Sequence, residues 1–166
     1  MPTGTSPRRP RQETLAAEAW RLLLDYFLGN SERFDRIATS AGLTVSHAKA
    51  LIALDADCPK PMRALAEEWR CDASNVTWLV DRLEALGLVA RTPSQSDRRV
   101  KTVVLTPDGV RTRARLLEEV YQPPGEFSAL GRARLEALTD ALQALAAARS
   151  SGGGARRPST RLKASS

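Results

Sequence analysis

At Gly87 the apolar pattern of this chain changes period, and that change narrows what residues 62–106 can build. Before it, MRALAEEWR (62–70) has the pattern of a short amphipathic helix, Cys71 marks a turn, and ASNVTWLVDRLEAL (73–86) follows. In the last segment Val76, Leu79, Val80, Leu83 and Leu86 recur at the i, i+3, i+4, i+7 spacing of a helix with one face in a core. Asp72 stands where it can cap that helix, and Gly87 stands just past its end, where a left-handed backbone is favoured. After Gly87 the period is two. LVART (88–92) and VKTVVLT (100–106) are β-branched runs joined by PSQSDRR, a polar hairpin tip.

Helices account for the rest of the chain. From Glu13 to Leu28 the apolar residues Leu15, Ala19, Leu22, Leu23, Tyr26 and Phe27 are helically spaced, and Gly29-Asn30 ends the run. A second helix is expected from Ser31 to Ala41, stopped by Gly42. Thr44 then caps a third, through Leu54, with Val45, Ala48, Leu51, Ile52 and Ala53 as its apolar positions. Pro59 and Pro61 close it. Thr106-Pro107 restarts a helix, with Thr as N-cap and Pro in the first turn, and Pro123-Pro124-Gly125 ends it after Tyr121. A last helix over 128–148, capped by Ser128, carries Leu130, Leu135, Leu138, Leu142 and Leu145. The expected fold is mostly α with a small β-wing: a winged helix-turn-helix domain flanked by N- and C-terminal helices.

Charge is distributed unevenly along that order. The chain has a formal net charge of +6, but residues 1–11 and 149–166 are basic tails, expected to be disordered from their Pro, Arg, Gly and Ser content. Without them 17 basic residues face 19 acidic ones. Residues 60–115 hold 11 basic against 7 acidic, whereas 12–59 and 116–148 are each net −3. A basic centre between acidic flanks suits a chain in which one segment meets a polyanion and the others do something else.

Other classes are excluded by what is missing. No nucleophile–base pair, metal-ligand spacing or phosphate loop is apparent, so the chain is not expected to be an enzyme or to need a cofactor or metal. Cys58 and Cys71 do not make a disulfide framework or a zinc motif; Cys58 is expected to be exposed and Cys71 to pack as a small hydrophobe. No apolar run is long enough for a membrane span, and MPTGTSPRRPRQ lacks the apolar segment of a secretory signal, so a cytoplasmic location is expected. Trp20 and Trp69 sit on apolar helix faces and are expected in a core.

A helix-turn-helix whose second helix has a polar outer face can enter the DNA major groove. Ser74, Asn75 and Thr77 are short side chains that permit close approach to base edges, and Trp78 and Arg82 share that outer face with Ala73. The helix start at Asp72 offers free N–H groups to a phosphate. Arg98 and Arg99 at the hairpin tip are long enough to reach a phosphate or an adjacent minor groove.

Three strings, RALAEEWRCDASNVTWLVDRLEALGLVAR, SQSDRR and VKTVVLTPDG, together resemble the MarR family of bacterial transcriptional regulators. The resemblance spans residues 13–148 and is most specific over 60–110. It implies a homodimer on double-stranded DNA at a palindromic operator, with a DNA-binding core at 44–106 and dimerisation through 13–41 and 107–148. Carried over by motif position, Ser74, Asn75, Thr77 and Trp78 lie on the major-groove face. Asp97 orients the wing arginine, Arg99 enters the minor groove, Arg98 contacts phosphate and Lys101 adds a wing cation. Two residues depart from the family pattern: Asn75 replaces a usual Thr, and Trp78 stands where a basic residue is common. An indole can pack on a thymine methyl or a sugar edge but cannot pair bidentately with guanine.

The resemblance further implies a repressor released from DNA by a small aromatic or phenolic anion, with Phe27 and His47 as candidate ligand contacts. His47, the only histidine, has the competing reading of a partly buried structural residue. Two alternatives stay open. One is a winged-helix protein-interaction module without a specific operator. The other is a cysteine-based redox sensor, disfavoured because no Cys lies near the first helix.

Overall fold

The computed structural model describes residues 9–94 and 97–152. In chain order these form α1 (Arg9–Gly29), α2 (Ser31–Ser40), α3 (Val45–Ala53), β1 (Lys60–Pro61), α4 (Met62–Trp69), α5 (Ala73–Ala85), β2 (Val89–Pro93), β3 (Lys101–Leu105), α6 (Pro107–Tyr121), a 3-10 turn (Gly125–Ala129) and α7 (Arg132–Gly152). The chain divides into two compact units, residues 1–45 and 46–166.

The first unit is α1 and α2. Every residue of α1 from Glu13 to Gly29 is exposed. Trp20, expected in a core, is 64% exposed, and Leu22 and Phe27 are more than half exposed. The apolar stripe read from the sequence is therefore present but uncovered in a single chain. Its end is tied down: the Phe27 and Phe34 rings lie 5.9 Å apart, and the Asn30 side-chain amide donates to the Tyr26 carbonyl at 2.9 Å. Gly42 (φ 69°) closes α2 as expected, its N–H donating to Thr39 while that of Leu43 donates to Ala38. This left-handed exit satisfies two carbonyls that the helix end leaves open.

Helix also covers part of what composition placed in the tails. α1 begins at Arg9, with Pro10 in its first turn, where no N–H is needed; α7 runs through Arg149 to Gly152, continuing from an alanine-rich last turn. The remainder of both tails lies outside the described residues.

The second unit is built on a three-stranded antiparallel sheet of order β1-β3-β2. β2 and β3 pair from Val89 with Leu105 to Pro93 with Lys101. β1, two residues long, was not legible in the sequence because a strand that short has no periodicity. It lies on the edge, where Pro61 removes no needed donor. Leu51, Leu65, Val76, Val80, Leu83, Val89, Val103 and Leu116 are essentially inaccessible and form the core. The predicted α5 stripe is buried at Val76, Leu79, Val80 and Leu83, while Leu86, at the helix cap, is 38% exposed. In α3 the buried face is His47, Ala48, Ala50 and Leu51 rather than the stripe through Ile52 and Ala53. Trp69 is half-buried, as is Cys71, and Cys58 is exposed. The last helix starts at Arg132 and not at Ser128. Ser128 lies inside the 3-10 turn, and the Gly131 carbonyl accepts the first bonds of α7.

Three residues fix the junction between α5, the sheet and α6. Gly87 (φ 71°) ends α5, its N–H donating to Glu84 and that of Leu88 to Leu83. Thr106 caps α6, accepting from the Gly109 N–H at 3.0 Å, and its hydroxyl donates to the Gly87 carbonyl at 2.6 Å. Gly109 has no alternative: a Cβ there would lie 1.8 Å from the Leu88 carbonyl oxygen.

Candidate nucleic-acid interface

The turn from α4 to α5 sets the approach of the longer helix. Arg70 takes the left-handed conformation (φ 51°), which lets the Cys71 N–H donate back to Ala66 at 3.2 Å. For a residue with a side chain that conformation costs about 1 kcal/mol. Asp72 then sits at the N-cap, but its side chain accepts no capping hydrogen bond. The expectation that its carboxylate caps α5 is thus corrected: the Asp72 carbonyl accepts the first helical bonds, from Asn75 and Val76. Without a side-chain cap, α5 keeps first-turn N–H groups unspent.

Burying Val76, Leu79, Val80 and Leu83 points the opposite side of α5 outward, and Ser74, Asn75, Thr77, Trp78 and Arg82 are all exposed. Thr77 is partly engaged, its hydroxyl donating to the Ala73 carbonyl at 2.8 Å, which leaves its oxygen as an acceptor. Trp78 is the large apolar residue of this face, 55% exposed. Behind it lies His47 of α3, buried, with ring centroids 4.4 Å apart and planes inclined by 47°. Burial lowers the His47 pKa below its ordinary value, and the charge of Arg82 lowers it further, so the ring is neutral near pH 7.

The wing is a closed tip on the β2–β3 hairpin. Ser94 N–H donates to the Val100 carbonyl at 2.7 Å and Val100 N–H to that of Asp97 at 2.9 Å. Asp97 was expected to orient the Arg99 side chain. Its carboxylate instead accepts from the Arg99 backbone N–H at 2.9 Å, so it shapes the turn and not the guanidinium. Arg98, Arg99 and Lys101 are exposed, and among the described residues none of them forms an ion pair. Gln95 and Ser96 of the tip lie outside the described residues.

The sequence reading missed what joins wing to helix. Arg91 of β2 pairs with Asp81 and Glu84 of α5, and its backbone N–H donates to Glu84 at 3.0 Å. Burial opposes the Arg91 charge, but the hydrogen bonds and charges of the two carboxylates outweigh it and hold the guanidinium more firmly protonated. A usable signal was present: two acids at i, i+3 on a helix followed, past one glycine, by a strand with an arginine in it. Of the candidate ligand contacts, Phe27 is exposed at the end of α1 and His47 is buried in the other unit. Among the described residues no group of acids, His and Cys is placed to hold a metal, and no helix is long and apolar enough to cross a membrane.

A helix-turn-helix whose second helix is pinned to a β-hairpin wing defines the winged helix-turn-helix class. Residues 41–100 match the model described as MarR family. In overall fold the chain is similar to YusO of Bacillus subtilis (24% identity, TM-score 0.68, covering 82% of this chain and 97% of that one). It is also similar to MarR of E. coli (20%, 0.65, 75% and 93%), and to the transcriptional repressor CouR bound to a 23-mer DNA duplex (28%, 0.57, 86% and 99%). A curated protein of Thauera aromatica, provisionally named a transcriptional regulatory protein for the hcr operon, is 38% identical over 66 residues. That match spans 40% of each protein. The match to the MarR family thus covers residues 41–100, which hold the helix-turn-helix and most of the wing.

Proposed function

We propose that this chain is a DNA-binding transcriptional regulator, a repressor acting as a homodimer on a palindromic operator in the cytoplasm. The observation that carries the proposal is the outward face of α5. Ser74, Asn75, Thr77, Trp78 and Arg82 stand exposed on a helix held rigid by its buried stripe, and the cationic tip of Arg98, Arg99 and Lys101 is carried on the adjoining hairpin. In this reading α5 lies in the major groove, Asn75 and Ser74 meet base edges, and Arg99 enters the flanking minor groove. The Arg91 link to Asp81 and Glu84 keeps wing and helix in register. That a DNA-bound repressor is among the similar structures supports the same reading.

The dimer is supported by α1, which exposes Leu15, Trp20, Leu22, Leu23 and Phe27, and by Leu142 and Leu145 of α7. A helix whose described residues from Glu13 onward are all exposed gains little in water from its own hydrogen bonds, and large apolar residues exposed along it call for a cover. A second copy supplies one by two-fold symmetry. Two recognition helices so related would meet successive major grooves about 34 Å apart, giving an inverted repeat with half-site centres about 10 base pairs apart. A small aromatic or phenolic anion that favours a dimer with mis-spaced helices would release it from DNA by population shift.

The test is a gel shift with the intergenic DNA upstream of the chain's own gene. A discrete complex that resists scrambled competitor is expected. Equal binding to operator and scrambled DNA, or none to either, would leave the winged-helix interaction module as the better description.

A further inference from the structure

Resting on that DNA-binding reading, we infer that Trp78 is a specificity-determining residue that reads the 5-methyl group of one thymine in each half-site, and that His47 is the positioning residue that holds it. Trp78 is the anomaly of the recognition face. Its neighbours there are short, hydrogen-bonding or cationic, whereas it presents a large aromatic surface to solvent. An indole has a single N–H donor and no acceptor, so it cannot reproduce the paired hydrogen bonds by which Arg recognises guanine or Asn recognises adenine. What it can offer is apolar area. Of the groups that the four base pairs display in the major groove, the thymine methyl is the apolar one. Burying the exposed indole against it removes apolar surface on both sides from water.

Position decides whether such a contact can discriminate. An exposed tryptophan free to change rotamer would smear its surface over neighbouring bases and lose entropy on binding. Here the rear of the indole rests on the His47 ring at 4.4 Å between centroids, in a tilted arrangement favourable for aromatic pairs. His47 is itself 4% exposed, on the face of α3 that also buries Ala48, Ala50 and Leu51. The bracing ring lies on a different helix from the one that enters the groove, so it fixes Trp78 without occupying groove space.

The experiment begins by selecting bound duplexes from a randomised pool with the full chain. Each thymine of the selected duplex is then replaced by deoxyuridine, which deletes the methyl and preserves every base-pairing group. One thymine per half-site is expected at which this replacement lowers affinity about fourfold, the effect of one buried methyl-sized group. Trp78→Ala, a change at an exposed position, should bind thymine and uracil duplexes equally. His47→Ala should shrink the thymine-to-uracil ratio, and His47→Phe, which keeps a ring behind the indole, should restore it. The ratio is the readout, because a merely structural role for His47 would lower affinity for both duplexes and leave the ratio unchanged. A Trp78→Ala ratio equal to that of the unaltered chain, or a selected site with no uracil-sensitive thymine, overturns the inference while leaving DNA binding intact. A chain that selects no duplex at all overturns the underlying reading and this inference together.

Discussion

α1 and α5 are both amphipathic helices, yet their apolar stripes end differently. In α5 the stripe Val76, Leu79, Val80 and Leu83 is buried within the chain. In α1 the stripe through Leu15, Leu22, Leu23 and Phe27 is exposed throughout. Both patterns have the same 3.6-residue period, so periodicity reports an apolar face but not whether the chain itself covers it. The stripe of α5 is finished within one chain; that of α1 is left open, as the proposed dimer requires. That division makes the two regions fail in different ways when altered.

The largest effect is expected where the stripe is uncovered. Sedimentation equilibrium at micromolar concentration should give about twice the 18.1 kDa chain mass. Trp20→Asp with Leu23→Asp should abolish the dimer, since each buried unpaired carboxylate costs about 3 kcal/mol or more. A folded monomer of the unaltered chain, or a double variant that still dimerises, would break the comparison at its root.

Next comes the junction that completes α5 within its own unit. Gly109→Ala sets a methyl against the Leu88 carbonyl and should destabilise the domain by at least ~2 kcal/mol, read as a fall in urea midpoint. Arg70→Gly should do the reverse. It relieves a left-handed residue in the α4–α5 turn and should stabilise by about 0.5 kcal/mol, the strain relief being partly offset by the greater freedom of glycine when unfolded. If both changes were neutral, the account of how α5 is held would fail.

His47 sharpens the comparison by pH. Its pKa is lowered in the folded chain by burial and then by Arg82, so acid favours the unfolded state, which takes up the proton more readily. Stability conferred by the neutral ring is present above the unfolded value near 6.5 and is lost as pH falls through that value towards the lower folded one. His47→Phe should flatten this slope in unfolding curves between pH 7 and 5. An equal slope in the variant would show that other groups cause it.

Much of this was legible in the sequence, for identifiable reasons. Gly42 and Gly87 mark helix ends because positive φ favours glycine, and Thr106-Pro107 marks a helix start through its cap; all three appear as read. What escaped depended on contacts between segments. Arg91 reads as an ordinary strand residue until the fold places it against Asp81 and Glu84. Asp72 and Asp97 have the right residue type for their expected roles, but side-chain placement, which sequence does not specify, leaves one without a cap bond and bonds the other to a backbone N–H. The start of α7 was misplaced because Ser128 is a good cap by composition, while the 3-10 turn that displaces the helix to Arg132 has no signature of its own.

The most direct test of the central claim measures duplex affinity at several salt concentrations, on the selected operator and on scrambled DNA, for Arg99→Ala and Asn75→Ala. Arg99→Ala should weaken binding to both DNAs together and flatten the salt dependence by about 0.9 in slope for each phosphate charge no longer neutralised. Asn75→Ala should cost on the order of 1–3 kcal/mol on the operator alone, with the slope nearly unchanged. If Arg99→Ala lost affinity on the operator only while Asn75→Ala lost it equally on both DNAs, the roles assigned to wing and recognition helix would be contradicted.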